Sequence, residues 1–374
     1  DWSPGWSPAW SGDRSPGEEG DRWSLPEDVR RDLARLRPPP RVRPGAFVVP
    51  VPIDPQGVAG PTADQARGPR GRRTSRNRYV PADAVVDQPV QRIVELVPRL
   101  PGGAGVTGWA SLHLAGARWF GGTESDGAEL PVALALGPMG KRRPIEGVRP
   151  WREVVLPADL VVRQGVPCTS AERAVFDEMR RTTSVRLAVQ ALEMAMYAEL
   201  TSLSRFRAYL LTRNRRTGVQ QARDATGLAV EGPESPQETL MHLVWECDAG
   251  LPRPLCNVDV YSVNGEFLGR PDLLDPVAGV VGEYDGGHHR LASVRRADVS
   301  REERFRAHGL EYFTVVEGDL PRRQLVVDRM LRTRERALRS REPRLWTLTP
   351  PPGVRPRLSL DRRLELREIL AAPR

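Results

Sequence analysis

The chain has 374 residues, which is long enough for two or three domains with separate cores. Its formal net charge is +8 and its sequence pI is about 10.0. Three scattered cysteines, Cys168, Cys247 and Cys256, are too few for a disulfide framework or a zinc site. No apolar run reaches the length of a membrane span and no signal peptide is apparent, so we expect a soluble, cytoplasmic protein with no membrane partner.

Arginine carries almost all of the positive charge, since Lys141 is the only lysine. Arginine is suited to bidentate contact with phosphate, which favours a nucleic-acid partner. The alternative is a GC-rich genome that favours arginine codons. Composition leaves both interpretations open.

Residues 1–45 are rich in Pro, Ser and Gly, with a W-S-P repeat near the start and the run RLRPPPRVRP near the end. Such a composition cannot bury a core, so we predict that the segment is disordered. The first methionine is Met139. A further hypothesis is that the segment is absent from the natural product, which mass spectrometry of the native protein would test.

Residues 46–165 are predicted to form a mixed α+β region that associates with DNA. Its first part reads as short β-type runs, and one tract contains several arginines and no acid: Arg67, Arg70, Arg72, Arg73, Arg76 and Arg78. Such a tract suits a phosphate backbone, although a solvated hairpin is an equal alternative. A helix near Val90 follows, then a second helix with Trp109 and Trp119 on its apolar side, and then strands in ELPVALALG and REVVLPADLVVRQGVPCTS.

Residues 166–230 are predicted to be helical. Ser170 is a candidate N-cap, and SVRLAVQALEMAMYAEL has apolar residues at helical spacing. The next helix, LSRFRAYLLTRNRR, is amphipathic and basic. A solvated face is the default interpretation of its arginines, and a DNA-binding face is the alternative.

Residues 231–340 are predicted to be a compact α/β domain with the order α-β-β-β-α-β-α. Ser235, Pro236 and Glu238 form a strong helix start, and Asn264-Gly265 is a preferred two-residue hairpin turn. The strand AGVVGEYDG, a charged helix over about 295–308, the strand EYFTVV and a last helix follow. Residues 341–374 are predicted to be a Pro/Arg-rich tail.

Three carboxylates in this domain suggest chemistry. Glu283 and Asp285 are two apart on one strand and therefore project from the same face, and Asp272 ends the preceding strand. If the strands are neighbours, the three acids converge and need a compensating cation. Oxygen ligands select a hard ion such as Mg²⁺ or Mn²⁺, which can activate water and polarise a phosphodiester.

Each acid also has a structural interpretation. Asp272 and Asp275 flank strand ends beside proline, where aspartate is common in turns. The capping box explains Glu238, and Asp285-Gly286 alone is typical of a turn. The combination is harder to explain structurally, because two carboxylates on an apolar strand bury charge unless something pairs with them.

The motif order over about residues 234–335 resembles the PD-(D/E)xK nuclease superfamily, in particular the branch similar to the very-short-patch mismatch-repair endonuclease. The resemblance rests on SPQE before a helix, RPDLLDP, VVGEYDGGHH and a helix with Arg301-Glu302. It implies a restriction-endonuclease-like fold in which Asp272 and Glu283 bind the metal. Asp285 falls where the superfamily usually has lysine and the repair enzyme has histidine, Glu238 matches a helical Glu beside the metal, and His289 (or His288) matches a second histidine.

The domain departs from that family because it contains no lysine. Arg301 from the following helix, or a histidine acting as general base, would have to substitute for it. The resemblance implies metal-dependent hydrolysis of DNA, with Asp272, Glu283 and Asp285 as Mg²⁺ or Mn²⁺ ligands, Glu238 orienting a water, His289 as base and Arg301 contacting DNA. The alternatives are a non-catalytic DNA-binding regulator or antitoxin that uses a nuclease fold as scaffold, and a protein in which the acids have purely structural roles.

The N-terminal part resembles AbiEi-type antitoxins in the segments RRTSRNRYVPADA, GVTGWASLHLAGARW and VPCTSAERAVFDEMR. This resemblance implies a winged-helix-like region that binds DNA and a toxin or regulatory protein as partner. It assigns phosphate contacts to four arginines: Arg70, Arg72, Arg73 and Arg76.

Overall fold

The computed structural model describes residues 25–85, 88–124, 126–138, 146–214, 216–286 and 301–372. Within them the chain is mixed α/β, with helices and several small sheets, which confirms the α/β class. The chain divides into two compact units, one up to Glu178 together with the segment from Arg362 onward, the other from Met179 to Asp361. None of the helices in the described ranges is both long and apolar enough to cross a membrane.

The first unit contains a short hairpin that carries the predicted arginine tract. Helix α1 spans Glu27–Leu33 and α2 spans Ala63–Arg67, and the hairpin consists of β1 (Gly71–Ser75) and β2 (Arg78–Pro81). The two strands are antiparallel. Between residues 46 and 70, all of which are described, only α2 is helical, so no helix-turn-helix precedes the hairpin.

A mixed sheet of five strands forms the rest of the first unit, in the order β5-β4-β3-β7-β6. Its strands are β3 (Gly105–Val106), β4 (Val132–Ala135), β5 (Val148–Trp151), β6 (Leu160–Arg163) and β7 (Val166–Thr169). Three helices accompany the sheet: α3 (Pro89–Val94), α4 (Gly108–Leu114) and α5 (Ala171–Arg181). Trp109 is buried in α4 as predicted. Trp119 is 37% exposed, because α4 ends before it.

The described part of the segment predicted to be disordered has structure. Asp32 in α1 pairs with Arg362 at 2.9 Å, and the Val42 N–H donates to the carbonyl of Gly116 at 2.9 Å. The two residues in each of these contacts lie far apart in sequence, so composition does not predict the contacts.

Four consecutive helices begin the second unit: α6 (Val185–Tyr197), α7 (Leu203–Leu211), α8 (Val219–Leu228) and α9 (Pro236–Leu243). Serine side chains cap three of them, since Ser184, Ser202 and Ser235 each accept a bond from a backbone N–H three residues on. Helix α8 lies within the region predicted to be helical, but it was not singled out there, because it buries only small side chains such as Ala222 and Ala225.

A three-stranded sheet lies at the centre of the second unit, in the order β10-β11-β12. Strand β10 is Leu273–Asp275, β11 is Val280–Asp285 and β12 is Glu311–Val316; β11 pairs antiparallel with β10 and parallel with β12. Helix α10 covers residues 301–307 and α11 spans Arg323–Arg339. Side chains from β10, β11 and β12 contribute to two separate cores, one of which includes α9 and α11 and the other Phe305 of α10.

A second small sheet contains the predicted hairpin. Strands β8 (Val260–Ser262) and β9 (Phe267–Gly269) pair around Asn264-Gly265, as predicted. The segment RPDLLDP, which follows this hairpin, supplies β10 of the other sheet. The region predicted to be a tail contributes β13 (Trp346–Thr347), which pairs with β8, and α12 (Leu360–Ala371); Trp346 is 2% exposed in the core.

Candidate active site

Two of the predicted acids lie on neighbouring strands. Asp272 immediately precedes β10, and Leu273 is paired with Gly282 of β11. The next pair in the same register is Asp272 with Glu283, and directly opposed residues project from one face. The Asp272 carboxylate also accepts a hydrogen bond of 2.8 Å from the backbone N–H of Tyr284.

Asp272 has an unusual proton affinity. Burial raises its pKa from 3.8 to about 7, and the nearby carboxylate of Glu238 acts in the same direction. The Tyr284 N–H and the Arg301 guanidinium oppose the rise. A buried carboxylate with a raised pKa beside a second carboxylate is typical of functional sites, where burial and like charges are used to shift pKa values.

Glu238 has the predicted capping role and also lies close to Asp272. One oxygen accepts a bond from the Ser235 hydroxyl at 2.8 Å, and the other accepts the Glu234 N–H and the Asn257 side-chain amide, both at 2.8 Å. Burial raises the pKa of Glu238 above its usual value despite these three donors. The structural and functional interpretations of Glu238 are therefore compatible.

Glu283 is paired with Arg301 of α10. Their charged atoms are 2.9 Å apart, and the Glu283 side chain is only 12% exposed. The Arg301 guanidinium also donates to the backbone carbonyl of Arg270, two residues before Asp272. The structure thus places a guanidinium beside both acids. We call Glu238, Asp272, Glu283 and Arg301 the carboxylate site.

Asp285 is not brought to the same point. It is exposed at the end of β11, about 7 Å along the strand from Glu283 at the usual rise per residue. Over the described ranges, no three side chains of His, Cys, Asp or Glu are grouped so that they could hold a metal ion. Among the described residues the convergence of all three acids stays a prediction, and the strand register supports only the placement of Asp272 beside Glu283. His288 and His289 lie outside the described residues.

The pair is still compatible with one kind of metal binding. Mg²⁺ is usually held by one or two carboxylates together with water and substrate phosphates, whereas a cage made entirely of protein ligands is less common. The donor chemistry of Asp272 and Glu283 fits that mode. The pKa of Asp272 is raised mainly by burial and secondarily by Glu238, and an added cation would favour the ionised form against both.

Asp275, by contrast, is structural. Its carboxylate is buried, accepts the backbone N–H groups of Val277 and Ala278, and pairs with Arg334 at 2.8 Å. These contacts fix the turn between β10 and β11, in agreement with the turn interpretation of this residue.

Sequence reasoning missed Asn257, which contacts Glu238 of the carboxylate site and the residue immediately before Asp272. Its side chain donates to Glu238, and its backbone N–H donates to the carbonyl of Pro271 at 2.9 Å. Its φ of 53° lies in the left-handed region, which asparagine tolerates better than most residues. The sequence contains no motif that would have identified it.

The arginine tract of the first unit divides into two groups. Arg72 forms a bidentate pair with Glu95, at 2.9 and 2.5 Å, which gives it a structural role, and its phosphate contact stays a prediction. Arg70, Arg73 and Arg76 are exposed on and beside the hairpin. Arg73 also bonds the carbonyl of Ser75 at 3.1 Å.

Comparisons with family models, with curated proteins and with solved structures found no match to this chain. Any functional assignment therefore rests on the motif order and on the geometry of the carboxylate site.

Proposed function

We propose that the protein is a metal-dependent endonuclease of the PD-(D/E)xK type that hydrolyses phosphodiester bonds in DNA. The observation that supports this most is the position of Asp272 beside β11, where its carboxylate accepts the Tyr284 N–H and lies close enough to Glu238 for that acid to help raise its pKa. The β10–β11 register, continued by one residue, would set Asp272 opposite Glu283. A sheet with one antiparallel and one parallel pair, flanked by α9 and α11, is compatible with a restriction-endonuclease-like domain.

Asp272 and Glu283 would hold a Mg²⁺ or Mn²⁺ ion. The bound ion would supply Lewis acidity toward a phosphate oxygen and lower the pKa of a coordinated water. Asp272 must be deprotonated to serve as a ligand, so metal and proton compete for it. In this proposal Asp285, at the end of β11, binds the metal ion as a further ligand or contacts its ligands.

Glu238 would orient the attacking water. Its carboxylate is anchored by three donors, which leaves it capable of accepting a further hydrogen bond while its position stays fixed. Arg301 would take the place of the missing lysine, because its guanidinium can bind a non-bridging phosphate oxygen once Glu283 is engaged elsewhere. His289 remains the proposed general base.

Three exposed arginines of the first unit would contact the DNA backbone. Arg70, Arg73 and Arg76 lie on and beside one short hairpin, and no acid occurs in the tract that contains them. Contacts of this kind give affinity without sequence preference and depend strongly on salt.

The test is incubation of supercoiled plasmid with the purified protein and Mg²⁺ or Mn²⁺, beside Asp272→Ala and an EDTA control. We expect nicking or linearisation that is lost in both controls. Circular dichroism of Asp272→Ala would establish that the variant is folded. Cleavage retained by a folded Asp272→Ala protein would contradict the assignment.

The second candidate function is a non-catalytic DNA-binding regulator or antitoxin, with a toxin or regulatory protein as partner. Two observations favour it: the unit from Met179 to Asp361 contains no lysine, and Glu283 is already paired with Arg301. Metal-independent retardation of DNA on a gel, with the plasmid left intact, would support this candidate over the nuclease.

A further inference from the structure

We propose that Asn257 is a positioning residue of the carboxylate site, which holds the Glu238 carboxylate toward the strand that carries Asp272. The inference rests on the proposed function and extends it to a residue outside the family motif. It is drawn from three contacts that meet at residues 255–257, which we call the edge segment.

The edge segment runs beside β10. The N–H of Leu255 donates to the carbonyl of Leu274 and the N–H of Leu274 donates back, both at 2.8 Å. Two residues on, the Asn257 N–H donates to the carbonyl of Pro271 at 2.9 Å. The backbone of Asn257 is therefore fixed to the residue that immediately precedes Asp272.

The side chain of Asn257 makes the second connection. Its amide donates to Glu238 at 2.8 Å. Of the three donors to the Glu238 carboxylate, Ser235 and Glu234 belong to the start of α9 and hold it to its own helix. Asn257 alone among these donors belongs to the segment paired with β10, so it couples the orientation of Glu238 to the position of Asp272.

The backbone around the site does not depend on this amide. A Cβ atom on Gly232, whose φ is +134°, would lie 2.3 Å from the carbonyl oxygen of Cys256, so the loop before α9 rests directly on the edge segment. Backbone contacts on both sides of Asn257 thus keep α9 and β10 together. Removal of the side-chain amide should change the orientation of Glu238 and leave the fold intact.

The test uses Asn257→Gly and Asn257→Asp in the full chain. Glycine accepts the left-handed φ of 53° and removes the side chain together with its amide donor. Aspartate keeps the shape but points an acceptor at Glu238 in place of a donor. The matched control is Gln164→Gly, an exposed turn residue with a φ of 51° in the first unit.

We expect Asn257→Gly to lower kcat for plasmid nicking by about 10- to 100-fold, the range typical of residues that orient a functional group. Asn257→Asp should lower it further, and Gln164→Gly should leave it unchanged. The affinity for Mn²⁺, measured by calorimetry without DNA, should stay within about twofold of the wild type, because in this proposal Glu238 is not a metal ligand.

Two results would overturn the inference while the proposed function stands. One is a kcat of Asn257→Gly equal to that of the wild type. The other is a loss of Mn²⁺ affinity as large as the loss of kcat, since Asn257 would then support the ligand pair as a whole. If the wild-type protein does not cleave in the presence of metal, the proposed function fails and this inference fails with it.

Discussion

The carboxylate of Asp272 accepts the backbone N–H of Tyr284 at 2.8 Å, across the register that pairs β10 with β11. This bond favours the ionised form of Asp272, yet burial and the carboxylate of Glu238 outweigh it and bring the pKa to about 7. The site therefore holds an acid that is partly protonated near neutral pH.

The contribution of Asp272 to the free energy of unfolding should decrease as pH rises from about 4 to 7. The pKa of Asp272 is about 7 in the folded protein against an ordinary value of 3.8, so the folded state binds more protons than the unfolded chain in this window. Asp272→Asn keeps the acceptor for Tyr284 and removes the titration. Urea unfolding at pH 5, 6, 7 and 8 should show the variant gaining stability relative to the wild type with rising pH. A difference between the two proteins that is constant with pH would contradict this prediction.

Arg301→Gln should bind divalent metal more tightly and cleave more slowly. Glu283 loses its 2.9 Å partner, so a cation no longer competes with the guanidinium, and the metal-free protein should lose about 1–2 kcal/mol of stability. Calorimetry with Mn²⁺ and urea unfolding give the two quantities. Arg332→Gln, which breaks an exposed pair with Asp328 on α11, is the control and should change neither measurably. Unchanged Mn²⁺ affinity in Arg301→Gln would argue against the competition.

Alanine substitutions of the exposed arginines of the hairpin should affect DNA binding, whereas substitution of Arg72 should affect stability. Replacement of Arg70, Arg73 and Arg76 by alanine should weaken DNA binding and reduce the slope of log affinity against log salt by roughly 0.9 for each lost phosphate contact. Arg72→Ala should instead destabilise the first unit, because it leaves Glu95 without its bidentate partner. Fluorescence anisotropy at several salt concentrations measures the slope. A slope reduced equally by Arg72→Ala in a folded protein would restore Arg72 as a DNA contact.

Gly282→Ala should destabilise the protein by about 1–3 kcal/mol through overpacking. A Cβ atom at this position in β11 would lie 2.4 Å from the ring of Phe313 on β12. Gly227→Ala in α8 is the matched control, because a Cβ atom there meets nothing within 4 Å and alanine favours the helix by up to about 1 kcal/mol. Thermal unfolding of the two variants should therefore shift in opposite directions, and a shift of Gly282→Ala to higher temperature would contradict the packing argument.

Local features of the second unit were predictable from sequence. The Ser235 cap, the Asn264-Gly265 turn and the strand through Glu283 depend on residues only a few positions apart. The helix over residues 219–228 lies in the segment predicted to be helical, but its bounds were not predicted, because small side chains such as Ala222 give no strong apolar periodicity.

Contacts between distant segments were not predictable in the same way. The partner of Arg72 is 23 residues away, that of Asp275 is 59 residues away, and the contact between Asn257 and Glu238 spans a loop and a helix. Alternation along β11 correctly placed Glu283 and Asp285 on one face, but the lateral distance to Asp272 depends on strand register, which periodicity does not specify.

Strand β11 buries alternate side chains in two different cores, Val280 with Met330 of α11 and Val281 with Phe305 of α10. A slip of one residue would turn Glu283 toward the apolar side that α11 covers and put Gly282 or Tyr284 in its place. Hydrophobic residues that take no part in the proposed chemistry therefore maintain the register that aligns Asp272 with Glu283. Substitutions in the surface loops would leave this alignment intact, whereas a single residue inserted into β11 would abolish it.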